Sequence, residues 1–208
     1  MPSTYTYTTA QSVSASVDRY LWPALDRELM EVPRGSSVLD LGCGNGAATA
    51  HFAQSGLRMS GVDSSESGIA LASKAYPECD FHCCDGQSEL PFSKSSFAAI
   101  VCIEVIEHVF APEMLIANCS NLLAPGGKLI LTTPYHGWLK NVVIACSNKY
   151  DSHHTALWTG GHIKFWSVQT IRQLLENNGM SVIRIYGVGR LPWLWKSMVV
   201  VATHKNPK

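Results

Sequence analysis

Glu104-Val105-Ile106-Glu107-His108 places two carboxylates and an imidazole within five residues. On one helical turn, positions i, i+3 and i+4 share a face, so Glu104, Glu107 and His108 can converge on one point. Such a set has two chemical uses. It can form part of the shell of a divalent cation. Alternatively, with no metal, Glu104 hydrogen-bonds the neighbouring loop, Glu107 caps a helix and His108, near its natural pKa, acts as general base. Spacing alone leaves both uses open. Gly161-His162-Ile163-Lys164-Phe165-Trp166 offers a further imidazole. His162 lies beside a Gly-Gly pair, which sets it apart from the loop imidazoles His136, His153 and His154. Two carboxylates and two imidazoles would make a site of mixed hardness, holding Mg²⁺ weakly and Mn²⁺, Fe²⁺, Co²⁺ or Zn²⁺ better.

A second constellation lies upstream in Val38-Leu39-Asp40-Leu41-Gly42-Cys43-Gly44-Asn45-Gly46-Ala47, an apolar run entering a glycine loop that opens a helix. Gly42, Gly44 and Gly46 let the backbone turn sharply and approach a ligand at the helix's positive end. The loop also satisfies the dinucleotide pattern G-x-G-x-x-G/A, so the glycines alone do not choose a cofactor. Asp40 does. A carboxylate two residues before the first glycine would repel the pyrophosphate of NAD and attract a ligand carrying an ammonium and a sulfonium. That ligand is S-adenosylmethionine. Asp63, ending Met59-Ser60-Gly61-Val62-Asp63, can accept from both ribose hydroxyls. Asp85, in Cys83-Cys84-Asp85-Gly86, can accept from the adenine amino group, although an Asp-Gly pair also suits a plain turn.

These residues need a scaffold, and the hydropathy pattern supplies one. Short apolar runs (SVLDL, MSGVD, CDFHC, FAAIVCI, KLILTT) alternate with helical stretches at about 47–54, 69–75 and 114–123. This rhythm predicts an α/β fold whose parallel strands are covered on both faces. An amphipathic helix is expected over about Val17–Met30, with Leu21, Leu25 and Leu29 at i, i+4 and i+8. After Pro134 come an apolar helix candidate WLKNVVIAC, a polar His-rich stretch over 150–162, a helix from about Val168 to Asn178, and two strands, SVIRIYGV and KSMVVVATH. The reading is one domain over 1–208, with residues 1–35 as a helical cap and 135–166 as an insertion at the carboxyl edge of the sheet, where substrate contacts gather.

Sixteen Lys plus Arg balance sixteen Asp plus Glu, so no global positive field exists to attract a nucleic acid or an anionic membrane. Only 15% of residues are charged and 46% are apolar, which excludes disorder and leaves apolar surface for a greasy substrate or peripheral membrane contact. No apolar run reaches the roughly 20 residues of a membrane span, and the first residues form no export signal, so a soluble cytoplasmic protein is expected. Seven cysteines, without paired Cys-x-x-Cys knuckles, fit a reducing cytosol.

Taken together, VLDLGCGNG, GVD, CCDG, FAAIVCIEVIEHV and LLAPGGKLILTTP resemble the successive motifs of class I S-adenosylmethionine-dependent methyltransferases, over about Leu21 to Thr203. The resemblance implies a Rossmann-like, doubly wound, seven-stranded sheet, mostly parallel, with an antiparallel last strand. It also implies that Asp40 and Gly42 hold the methionine part, Asp63 the ribose and Asp85 with Gly86 the adenine side, while Ile103 and Glu104 line the floor. The Glu-x-x-Glu-His segment, with a His followed by Lys-Phe, is similar to that of ubiquinone-pathway O-methyltransferases and small-RNA 2′-O-methyltransferases. In both groups it implies a metal that activates the accepting hydroxyl, on Glu104, Glu107, His108 and His162 in this chain. Here Ile163 intervenes between the His and the Lys. The expected reaction is O-methylation of a small or lipophilic hydroxyl acceptor, with His108 or His136 removing the proton if no Mg, Mn or Zn ion does. Tyr135 to Trp138, Trp158, Phe165 to Trp166 and Leu191 to Trp195 would wall an apolar acceptor pocket. An RNA 2′-O-methyltransferase and a non-catalytic S-adenosylmethionine-binding protein are the competing readings; neutral charge disfavours RNA, and Asp40, Asp63 and the Glu-x-x-Glu-His face disfavour the loss of catalysis.

Overall fold

The computed structural model describes residues 6–10, 15–154 and 156–205. Its seven strands are β1 (Ser37–Leu41), β2 (Arg58–Asp63), β3 (Asp80–Cys83), β4 (Phe97–Ile103), β5 (Leu123–Pro134), β6 (Met180–Val188) and β7 (Ser197–His204). They form one sheet in the order β3-β2-β1-β4-β5-β7-β6. β1 pairs in parallel with both β2 and β4, whereas β7 runs antiparallel between β5 and β6. The expected mostly parallel sheet with an antiparallel last strand is therefore present.

Alternation of side chains along each strand divides the core in two. Leu39, Leu41, Ile100, Cys102, Leu129, Leu131 and Val200 face one layer, with α4 (Pro112–Leu122) and α7 (Val168–Asn177). Val38, Ala99, Val101, Ile130, Val199 and Val201 face the other, with α1 (Ala15–Leu29) and α2 (Ala47–Ala53). Strands covered on both faces cannot afford polar alternation, which is why FAAIVCI is apolar at every position.

In α1 the predicted stripe is buried, Leu21 and Leu25 fully and Leu29 nearly so. Its polar side is anchored as well. Glu28, 2% exposed, accepts from Arg184 and from the Tyr186 hydroxyl (2.8 Å), both on β6. α3 (Glu66–Ala75) starts three residues before the apolar pattern does, because the Ser65 hydroxyl caps it by accepting from the Gly68 amide. α5 (Trp138–Cys146) covers the WLKNVVIAC candidate, and the stretch expected to be merely polar contains a short α6 (Tyr150–His154).

Candidate functional site

β1 and β4 are neighbours in the sheet; β1 carries the buried Asp40 next to its last residue, and the segment after β4 carries the buried Glu107. Beyond β1 the chain turns through Gly42 (φ +87°) and Gly46 (φ +78°), conformations that favour glycine. A Cβ on Gly42 would collide with Val105, and one on Gly46 would come within 2.8 Å of both Ala72 and Phe81. The third glycine thus serves helix-to-strand packing. Asp40 is 1% exposed; one of its oxygens accepts from the Thr49 hydroxyl at 2.6 Å and the other, Oδ1, has no partner. Burial pushes its pKa up to about 7. Asp63 accepts from the Gly44 amide (2.9 Å) and the Ser65 amide (2.8 Å), so it ties the glycine loop to the end of β2.

A cavity of about 130 Å³ beside this loop is lined by Asp40, Gly42, Gly44 and Ile103, together with Tyr7, Asp18 and Trp22 from the N-terminal segment. Asp63, Asp85 and Gly86 do not line it. Tyr7 lies over Gly44 and Gly68, and its amide donates to the Ser67 hydroxyl at 3.0 Å. Tyr7, Asp18 and Trp22, which no sequence motif singled out, thus bring the described part of the N-terminal segment to this cavity. Asp85 accepts from the Gln87 amide (2.9 Å) and side chain (3.2 Å), an Asx turn of the kind an Asp-Gly pair favours.

The Glu104–His108 segment is not one regular helical turn. Glu104 has φ +52°, a left-handed conformation uncommon outside glycine, and only Ile106–His108 form a 3-10 turn. The turn directs the Glu104 carboxyl toward β7, where Oε2 accepts from the Ser197 hydroxyl at 3.2 Å. Glu104 consequently separates from the group it was expected to join. The other three expected metal-ligating residues do converge: among the described residues, one ligand atom each from Glu107, His108 and His162 lie within 4.8 Å of one another.

Two backbone hydrogen bonds explain how His162 arrives from far along the chain. The Glu107 carbonyl accepts from the Ile163 amide (2.9 Å) and the Lys164 amide (3.0 Å). His162 Nε2 then stands 4.0 Å from Glu107 Oε1, and its ring centroid is 4.9 Å from that of His108. Glu107, 1% exposed, accepts from Thr133 at 3.0 Å through Oε2, while its Oε1 has no hydrogen-bond partner. Burial, and then the neighbouring Glu104, raise its pKa; burial pushes Glu104 up to about 7. Burial depresses His108, and burial with His108 beside it takes His162 down to about 4. At neutral pH both imidazoles are uncharged, the form in which histidine ligates a metal. His136 shares a second cavity with His162, and burial, followed by Lys140, holds its pKa down at about 3.

Comparison with known proteins identifies the family and the fold. The family profile described as a methyltransferase domain covers residues 14–185. A ubiquinone biosynthesis O-methyltransferase of Coxiella burnetii is 29% identical over 158 residues, 74% of this chain and 68% of that protein. The mitochondrial ubiquinone biosynthesis O-methyltransferase of Rattus norvegicus is 31% identical over 172 residues, 77% of this chain and 50% of its own. Among solved structures, a Pyrococcus horikoshii protein superposes with a TM-score of 0.74 at 20% identity, covering 96% of this chain and 95% of its own. The magnesium protoporphyrin IX methyltransferase of Synechocystis, solved with bound SAH, gives 0.67 at 20% identity, with coverage of 86% and 80%. The chain belongs to the methyltransferase-domain family and is an S-adenosylmethionine-dependent methyltransferase.

Proposed function

We propose that this enzyme methylates a hydroxyl of a small or lipophilic acceptor, with a divalent cation held by Glu107, His108 and His162. The observation that carries the reading is a set of three buried carboxylate oxygens without hydrogen-bond partners, Asp40 Oδ1, Glu104 Oε1 and Glu107 Oε1, at the carboxyl ends of β1 and β4. Leaving a buried acceptor unpaired costs about 1–3 kcal/mol, and burial resists ionisation of these carboxyls, so a cation that pairs with them relieves both penalties. Asp40 Oδ1 suits the ammonium of the methionine part. Glu107 Oε1, with two neutral imidazoles beside it, suits a metal such as Zn²⁺, Mn²⁺ or Fe²⁺ better than Mg²⁺.

Bound S-adenosylmethionine supplies a methyl group for in-line displacement, and a divalent cation lowers the pKa of a hydroxyl brought against it. The chain's residues do the positioning. Asp63 takes the ribose hydroxyls, Asp85 beside Gly86 the adenine, and Ile103 with Glu104 forms the floor. Gly42, Gly44 and Gly46 let the loop approach the ligand. Of the expected cap, residues 6–10 and 15–35 cover the cofactor side, the rest lying outside the described residues, and 135–154 with 156–166 shape the acceptor side, where Trp158 lies edge-on to both His108 and His162. His136, held neutral to about pH 3, is a poor proton acceptor, which makes His108 the base if no metal is bound. The names of the relatives support a phenolic, ubiquinone-type acceptor, and seven free thiols suit a reducing compartment such as the cytosol.

The test is release of S-adenosylhomocysteine on incubation with a panel of phenolic and lipid acceptors, before and after chelation. Activity lost on chelation and restored by Mn²⁺ or Zn²⁺ is expected, with His162→Ala weakening metal binding while leaving S-adenosylhomocysteine affinity intact. Full activity after verified metal removal would replace the cation with His108 as general base.

A further inference from the structure

The Glu107–His108–His162 cluster opens, past His162, into a cavity of about 230 Å³. Lys140, Arg190, Lys196, His136, His153 and His154 line it, and no carboxylate does. The chain as a whole has equal numbers of acidic and basic residues, so this one-signed lining reflects placement and not composition. Among the described residues, no carboxylate comes within 4.0 Å of Lys140, Arg190 or Lys196.

Lys140 is the informative member. It projects from α5, is 5% exposed, and donates to the Tyr135 carbonyl at 2.7 Å and the Lys196 carbonyl at 3.3 Å. Those carbonyls take two of its three N–H donors and bring no opposite charge. Burial, and then Arg190, bring its pKa down to about 8, while Glu104 opposes the shift only from longer range. The ammonium of Lys196 stands 5.1 Å from the centre of the Tyr20 ring, a contact that leaves its charge without an acid. A cleft lined by one sign of charge between low-dielectric walls concentrates ligands of the opposite sign. The rings of His136 and Phe165, with centroids 4.9 Å apart and nearly perpendicular, give it an aromatic wall.

We propose that this cavity is an anion subsite for the acceptor: Lys140, Arg190 and Lys196 bind a carboxylate or phosphate monoester carried by the molecule whose hydroxyl stands at the Glu107–His108–His162 cluster. The placement of the hydroxyl rests on the function proposed above; the anion subsite itself does not. Its test is therefore binding alone, with no methyl transfer and no metal.

The full chain, saturated with S-adenosylhomocysteine, is titrated calorimetrically with benzoate, phenyl phosphate and the neutral benzamide. At least one anion should bind tenfold or more tightly than benzamide, and the tighter of the two identifies the group as carboxylate or phosphate. Arg190→Gln and Lys196→Gln are chosen because they are less buried than Lys140, whose loss endangers the fold. Each should weaken anion binding about tenfold, the size of one charge-assisted hydrogen bond, while benzamide and S-adenosylhomocysteine affinities stay within twofold. Comparable affinity for benzamide and both anions, no measurable anion binding, or anion binding unchanged in the double variant each overturns the subsite. None of these results bears on the metal or on methyl transfer, which the chelation experiment judges separately.

Discussion

Asp40→Asn should stabilise the free enzyme at alkaline pH while destroying its hold on the cofactor. The folded protein moves this carboxyl from 3.8 to about 7, chiefly by burial, a change worth roughly 4 kcal/mol in favour of the neutral form. The folded state therefore binds the proton more tightly than the unfolded chain, and stability is lost as pH rises from about 4 to about 7. Integrating that linkage between pH 5 and pH 8 gives a loss of roughly 2.5 kcal/mol attributable to Asp40. Asparagine keeps an acceptor for the Thr49 hydroxyl and carries no charge at any pH, so its cost is constant. Glu104, Glu107 and Asp63 titrate in both proteins, and their contributions largely cancel in the difference. The wild-type and variant curves should diverge by roughly 5–10 °C in Tm between the two pH values, the variant gaining at pH 8. Thermal unfolding of the ligand-free proteins at pH 5, 6.5 and 8 measures this. Parallel curves would refute the idea that Asp40 is buried at a cost relieved by the cofactor's ammonium. Calorimetry with S-adenosylhomocysteine supplies the second half: about tenfold or greater weakening is expected.

Asp63→Ala should weaken S-adenosylhomocysteine binding by about 2–4 kcal/mol, since two ribose hydroxyls lose their acceptor and the Gly44 amide loses its tether; affinity within threefold of wild type, by calorimetry, would sink the ribose assignment. Glu28→Ala should cost about 2 kcal/mol in urea unfolding, because the Tyr186 hydroxyl loses its charged acceptor and Arg184 is left with Glu31 alone; a change below about 0.5 kcal/mol would mean that these contacts contribute no stability. Hydrogen exchange should show residues 135–166, where α6 buries no side chain, opening faster than β1 and β4 and slowing when acceptor binds; protection equal to the core strands with and without ligand would exclude a mobile insertion.

The scaffold was legible because its signals are local. Phe97–Ile103 is an uninterrupted apolar heptad, and a strand covered on both faces needs nothing more to be recognised. The three-residue error at the start of α3 has an equally local cause, a serine cap that adds a turn ahead of the first apolar residue. Asp40 could be read as an acid poised for a cation because its offset from Gly42 is determined by the strand-to-loop turn. Its Thr49 partner, a turn into α2, carried no comparable signal.

The acceptor side resists such reading because its contacts are long-range. A periodic rule put Glu104, Glu107 and His108 on one face, and a single residue in a left-handed conformation removed Glu104 from it. Ser197 on β7 and Thr132 on β5 secure that turn: the Ser197 hydroxyl donates to the Glu104 carboxyl, and the Thr132 carbonyl accepts from the Glu104 amide at 3.2 Å. Neither residue is near it in sequence. The link between His162 and Glu107 is made by backbone groups, a carbonyl receiving two amides, so only the resemblance of the His-x-Lys-Phe segment, and no spacing rule, could point to it. Lys140 shows the same limit most plainly, since in the sequence it is one lysine on an apolar helix. Only the folded chain turns it toward the carbonyls of Tyr135 and Lys196 and sets Arg190 close by, producing a patch of positive charge in a protein with no net charge. Composition averages over the surface, whereas an acceptor meets the local field, so neutrality of the chain argues against a nucleic-acid-wide footprint and leaves open a single anionic group.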